Sequence, residues 1–398
     1  MTKNYLLIAA AMIMASCAES VKINNDLQDN VKTVIGFNTY NAKLTRTDLT
    51  GKPALEDYHN TFMVYGTKVS TINTTENPQY IFGEDADATA PVEGTLCTYV
   101  DGSAANPLFY QSNWKYVNER YWDKQATYNF IAYAPQAAPL KYQYASATAG
   151  VGATGNVFVT TAAYTLYGQN LQDGAKGTDA EKLIGFTESD ATNKKDIDIM
   201  ISDLESGLDG ANYVNKTPKT HVELLFHHIL AKLNVLVAKD AQLNNSEVLV
   251  KSITIDGLKH VGTYNGTTWA AQDRETTSTY ALDFNKALNA SYFTELPDAD
   301  VDNTTDAVTL HHKYFVESLV MPQTLPDVCN LTINYQITTG THVEQYTSRQ
   351  DISDTDIFTK FSDKTNYTLK IKISPTVITF DAGAANWDLT GNAGYTIY

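Results

Sequence analysis

The stretch His221–Val237, HVELLFHHILAKLNVLV, leaves few ways for its chain to fold. Val222, Leu224 and Phe226 alternate with Glu223, Leu225 and His227. Beyond Ile229, the residues Ala231, Leu233, Val235 and Val237 alternate with Lys232, Asn234 and Leu236. A period of two is the mark of a strand with one buried face. The apolar phase slips by one residue between Phe226 and Ile229, and a β-bulge at His227–His228 would absorb the slip within one strand. Leu225, Ile229, Leu233 and Val237 also fall four apart, which allows a helix. The strand is favoured because Val248–Leu258 and Asn330–Ile337 alternate too.

A chain of 398 residues exceeds one ordinary core, so two domains are expected. Hydrophobic residues at 43% support packed cores, and 25 tyrosines with only 19% charged residues suit β-sheet. The net charge of −16 argues against nucleic acid as a partner and against adsorption to anionic membranes through a basic face.

Met1–Ser16 reads as a targeting segment: Lys3 gives a positive end, and Leu6–Met14 is too short to span a bilayer. It runs into Met14-Ala15-Ser16-Cys17, which resembles a bacterial lipobox. Small residues admit the peptidase, and the Cys17 thiol would carry diacylglycerol. The plainer alternative is a secretory peptide with an incidental cysteine. Cys97 and Cys329 fall in different halves, so no disulfide is expected, and no cysteine–histidine cluster has metal-ligand spacing.

Ala18–Asn30 is a polar tether, and Val31–Tyr40 (VKTVIGFNTY) reads as a first strand. Asn41–Asp57 is then an exposed loop carrying Arg46, a candidate proteolytic site at Leu44-Thr45-Arg46-Thr47. Asp57–Ser70 is a second strand with Phe62 and Val64 inward. An aromatic run, Trp114 to Pro135, follows; its spacing is that of strand interiors, and a sugar-stacking platform is the sharper alternative. Ala137–Lys182 reads as a surface insertion, Asp196–Asp203 as the strand closing the first domain, and Ser206–Lys219 as the linker. Val248–Leu258, Tyr314–Gln323, Cys329–Thr338 and Tyr367–Ile373 are further strands. The chain ends in two alternating pieces, Val377–Phe380 and Tyr395–Tyr398. No nucleophile elbow, phosphate loop or zinc-protease motif is present, and neither His227–His228 nor His311–His312 can chelate one ion from a strand. No catalytic residue, metal or cofactor is therefore expected.

Two motifs carry a family resemblance. Phe226-x-His228-x-Leu230-Ala231-Lys232-Leu233-x-Val235 and Trp122-Asp123-Lys124-x3-Tyr128-x-Phe130-x-Ala132-Tyr133-x-Pro135 are similar to those of fimbrillins, the lipoprotein-derived (type V) pilins of Bacteroides-like bacteria. The resemblance implies an all-β fold of two transthyretin-like Greek-key β-sandwich domains in tandem. It implies a signal peptide and lipobox at 1–17 with Cys17 acylated, and a tether and leader strand at 18–46 removed by cleavage between Arg46 and Thr47. An N-terminal domain at 47–215 and a C-terminal domain at 216–398 would follow. The expected role is a structural subunit of an outer-membrane, cell-surface fimbria supporting adhesion. Its partners would be other fimbrial subunits, a lipid anchor before processing, and a host or bacterial surface ligand. The terminal segment would donate a strand to the next subunit, with Val377, Phe380, Tyr395, Ile397 and Tyr398 as its side chains. A surface glycan-binding lipoprotein using Trp114 or Trp269, or an uncleaved tip or anchor subunit, is the alternative.

Overall fold

Val222–His228 and Ala231–Lys239 are separate strands in different sheets of the computed structural model, not one bulged strand. The structure describes residues 32–41, 55, 60–83, 90–100, 114–166, 197–214, 221–243, 245–272, 279–282, 315–353, 358–376 and 378–386. Both alternations hold: Val222, Leu224, Phe226 and His228 are buried in the first strand, and Ala231, Leu233, Val235 and Val237 in the second. The phase slip marks a change of sheet. Three of its backbone groups are engaged: Ile229 N–H donates to Ile199 O, the Trp269 indole donates to Ile229 O at 2.7 Å, and Lys364 N–H donates to Leu230 O. Periodicity cannot tell a bulge from such a crossover, because both consume one residue.

The first half holds β1 (Phe37–Asn41), β2 (Thr61–Ser70), β3 (Gln79–Phe82), β4 (Thr95–Tyr99), β5 (Trp114–Tyr116), β6 (Ala126–Ala134), β7 (Leu140–Gln143), β8 (Val157–Thr160), β9 (Tyr164–Thr165), β10 (Met200–Ser202), β11 (Glu205–Asp209) and β12 (Val222–His228). Nine of these form one sheet in the order β1-β12-β10-β6-β2-β4-β5, with β11 on β6 and β3 on β2. The stretch read as a linker thus begins with a strand of this sheet, followed by a 3-10 turn at Gly210–Asn212 that Asp209 caps by accepting from Ala211 N–H. The sheet curls around one core, since its first strand meets its far end: Phe37 of β1 touches Tyr116 of β5, and Val34 bridges to Tyr121.

The second half holds β13 (Ala231–Lys239), β14 (Glu247–Asp256), β15 (Val261–Tyr264), β16 (Trp269–Gln272), β17 (Thr279–Leu282), β18 (Phe315–Val320), β19 (Gln323–Thr324), β20 (Asn330–Thr339), β21 (His342–Asp351), β22 (Lys360–Phe361), β23 (Thr365–Ile373) and β24 (Ile378–Asn386). Two four-stranded sheets, β18-β13-β23-β24 and β17-β14-β20-β21, share one apolar core, so the all-β expectation holds. Val248, Val250, Ile253 and Ile255 of β14 are all buried although their parity changes, because a bulge between Val250 and Ser252 resets the phase.

The stretch expected as a surface insertion is partly structural. β7 and β8 pair, and Tyr142 and Phe158 on them pack against Tyr65 of the first sheet with ring centroids 5.3 and 5.8 Å away. β9 then pairs with β15 of the second half, and Tyr264 N–H donates to Thr160 Oγ1. Burial of Tyr142, Tyr144, Phe158 and Tyr164 explains why: the opposite face of β2 and β6 needs a cover.

Candidate functional site: an occupied strand groove

Every second residue of the leader strand, from Thr33 to Thr39, points inward. Thr33, Ile35, Phe37 and Thr39 are buried, while Lys32 is exposed and Val34 and Asn38 are intermediate. The strand lies between two backbones. On one side β1 runs parallel to β12, from Phe37 opposite Val222 to Asn41 opposite Phe226, extended by Val222 N–H donating to Gly36 O. On the other side Ile35 N–H donates to Arg120 O, and Trp122 N–H donates to Thr33 O at 2.9 Å. The Tyr116 hydroxyl also donates to Ile35 O at 2.6 Å. Lys32 closes the entrance, its ammonium 5.2 Å from the centre of the Tyr121 ring.

Phe37 is the anchor. Its ring meets Phe62 at 5.9 Å, Phe82 at 5.3 Å, Phe130 at 5.7 Å and Tyr116 at 6.1 Å, each edge-on. The pocket exists because Gly66 has no side chain: a Cβ there would stand 2.7 Å from Phe130 and 3.1 Å from Phe82. Burying Ile35 and Phe37 contributes roughly 3–6 kcal/mol together. Deeper still, the Trp114 indole N–H donates to Thr39 Oγ1 at 3.1 Å, with both residues fully enclosed. Cys97, on β4 opposite Phe62 and Tyr116, belongs to the same core, and burial pushes its thiol well above the usual range.

A second buried polar group stands at the crossover. His228 Nδ1 lies 2.9 Å from Asp198 Oδ2 and 3.0 Å from Oδ1, and Lys232 is buried two residues into β13. Burial lowers the Lys232 ammonium to about 7, and the Asp198 charge works against that fall. His227, on the opposite face, pairs instead with Asp203 at 3.1 Å. Asp198 was legible in principle, since it shares a strand phase with the buried Met200 and Ser202. The cluster joins the first sheet to the first strand of the second half. Replacing Asp198→Asn should cost about 3–5 kcal/mol in stability by removing a buried charge that offsets Lys232, and Lys232→Met in that background should recover most of it. Denaturant titrations of the single and double variants check this; equal midpoints would refute it.

Cys17, Arg46, Thr47, Val377, Tyr395, Ile397 and Tyr398 lie outside the described residues. Phe380 lies in β24, an edge strand whose register with β23 sets Phe380 opposite Ile371. Trp114, Trp122 and Trp269 are buried, so the surface aromatic platform they would offer a glycan does not form. Among the described residues no group of three or more His, Cys, Asp or Glu side chains could hold a metal ion, and no helix is long and apolar enough to cross a membrane.

A family model described as fimbrillin-like matches residues 60–387. Among solved structures, a fimbrial protein from Bacteroides vulgatus is similar at 15% identity and a TM-score of 0.50, covering 89% of this chain and 99% of that one. A proposed cell adhesion protein from Bacteroides uniformis is similar at 14% identity and a TM-score of 0.44, covering 90% of this chain and 98% of that one. No curated protein matches the chain.

Proposed function

Because this chain belongs to the fimbrillin-like family, we propose that it is a fimbrial stalk subunit matured by removal of its leader strand and polymerised by strand exchange. The observation that carries this reading is the leader itself: a strand bonded to backbone on both sides, with its aromatic anchor in a pocket of four rings. Taking it out would bare an apolar groove and two rows of unsatisfied N–H and C=O groups, a template for another strand. The subunit would reach the outer membrane as a lipoprotein acylated at Cys17, be cut between Arg46 and Thr47, and accept the C-terminal segment of a neighbour, with Val377, Phe380, Tyr395, Ile397 and Tyr398 as the inserting side chains. Such contacts run head to tail and do not close, so they grow a filament. The partners are other fimbrial subunits, and the role is structural support of adhesion, with no catalytic step. The divisions 18–46, 47–215 and 216–398 remain the proposed processing and domain units. The chain changes sheet at Ile229–Leu230, inside the proposed 216–398 unit.

The buried thiols offer a direct test. In a Cys17→Ser protein, Cys97 should be inert to a thiol reagent while the leader is seated, react once the leader is cut and lost, and become protected again in the polymer. Cys329, buried in the second half, should stay inert throughout. Continued protection of Cys97 in leader-free monomer would count against an open groove.

A further inference from the structure

Resting on the strand-exchange reading above, we infer that the groove selects its occupant by a hydroxyl acceptor two residues past the aromatic anchor, read by the indole N–H of Trp114. The leader carries that acceptor, Thr39, where the chain's own C-terminal strand carries Ala382.

The two strands are near copies over their anchoring residues. The leader reads Val34-Ile35-Gly36-Phe37-Asn38-Thr39, and the terminal segment reads Val377-Ile378-Thr379-Phe380-Asp381-Ala382. Ile378 and Phe380 therefore have the spacing of Ile35 and Phe37, the two apolar residues that fill the groove. β24 is an edge strand held by β23 alone, so it can peel away without breaking the inner pairing of β13 with β23. The sixth position sets the copies apart. Trp114 is 3% exposed and Thr39 is 1% exposed, so water has little access to their bond. The indole is fixed edge-on against Phe62 at 4.7 Å and Tyr99 at 5.4 Å, so its N–H keeps one direction. Tryptophan nitrogen only donates, and it needs an acceptor from whatever strand lies across it. A threonine supplies one and an alanine does not, and a buried donor loses free energy when its acceptor is removed. The leader is then the preferred occupant, and the terminal strand takes the groove after cleavage has let the leader diffuse away. Premature polymerisation is suppressed by one hydrogen bond added to otherwise equivalent anchors.

The test uses the full-length chain, cut at Arg46 by an arginine-specific protease. Leader loss is read by mass spectrometry of the retained fragment, and polymer growth by sedimentation. Thr39→Val, which keeps shape and removes the acceptor, should speed leader loss and polymer growth roughly tenfold. Thr39→Ser should behave as the parent. Ala382→Thr should yield polymer that resists competition by a leader peptide better than the parent polymer does, and Trp114→Phe should erase the difference between threonine and valine at 39. Thr39 departs with the leader, so its variants leave the core of the cut subunit untouched and the test stands even where Trp114→Phe or Ala382→Thr, which packs against the core from the edge strand, fails to fold. If polymers form and Thr39→Val sheds its leader no faster than the parent, the discrimination is refuted while strand exchange survives. If no variant sheds its leader or polymerises, strand exchange itself fails and this inference falls with it.

Discussion

A subunit carrying Arg46→Ala should remain monomeric under conditions in which the parent, treated with an arginine-specific protease, converts almost wholly to filaments. The expectation follows from two features of the leader. It is covalently part of its own subunit, so its effective concentration in the groove exceeds that of any neighbour's strand. It also makes main-chain bonds to β12 and to 120–122, together with the Phe37 pocket. An intermolecular strand with similar anchors cannot displace it while the chain is intact. Cleavage turns the same contacts into a dissociable peptide, and dilution does the rest. Deleting Gly394–Tyr398 should weaken or block growth after cleavage, with both halves still folded, because the donor would be shortened. Sedimentation and electron microscopy read both results. Normal filaments from the uncleavable variant would show that leader removal at Arg46 is not the switch, and full polymerisation of the deletion would send the search for the donor to Ile378–Asn386 alone.

The second large effect is expected in alkali. Tyr65, Tyr128, Tyr133, Tyr142 and Tyr144 are each at most 2% exposed. Burial raises the hydroxyl of every one of them, that of Tyr128 to about 12. A group whose folded pKa lies above its unfolded one stabilises fully below the unfolded value and loses that contribution as pH climbs towards the folded value. The window therefore opens near pH 10, the ordinary tyrosine pKa. Each buried tyrosine then removes about 1.4 kcal/mol per pH unit. Tyr65, Tyr128, Tyr133 and Tyr144 acting together remove about 6 kcal/mol by pH 11, comparable with the whole stability of many proteins, and Tyr142 adds to the loss. Lys232 acts with the opposite sign over a lower range: its folded value near 7 makes stability rise with pH up to its unfolded value. Stability should thus peak between about pH 9 and 10 and collapse cooperatively near pH 11. Phenolate absorbance and far-ultraviolet circular dichroism should change together. Reversible ionisation of these five tyrosines below pH 10.5 with the β signal intact would falsify the account.

Much of the architecture was already present in the order of residues. Alternation of apolar and polar side chains named β12, β13, β14, β20 and β23, because a strand with one buried face repeats every two residues whatever its partners are. The same rule marked the leader and picked out Phe62, Val64, Phe130 and Phe226 as inward. The rule is local, and its failures are those of locality. His227–His228 read as a bulge because one strand with an irregularity and two strands in different sheets show the same slip of phase. Ser206–Asp209 read as the start of a linker because its glycine and its exposed residues hide a strand that pairs with β6. The insertion at 140–166 read as surface because nothing nearby in the chain shows that the second face of β2 and β6 lacks a cover. The groove was anticipated as a strand that could leave. Its second wall at 120–122 and the bond from Trp114 to Thr39 join residues 75 or more positions apart, and even the pocket joins Phe37 to rings 25 or more positions away; no periodicity reports on such distances. The buried meeting of Asp198, His228 and Lys232 has the same origin. Sequence fixes which side of a strand is apolar; the closing of the sheet on itself decides which polar atoms are shut in together and must answer one another.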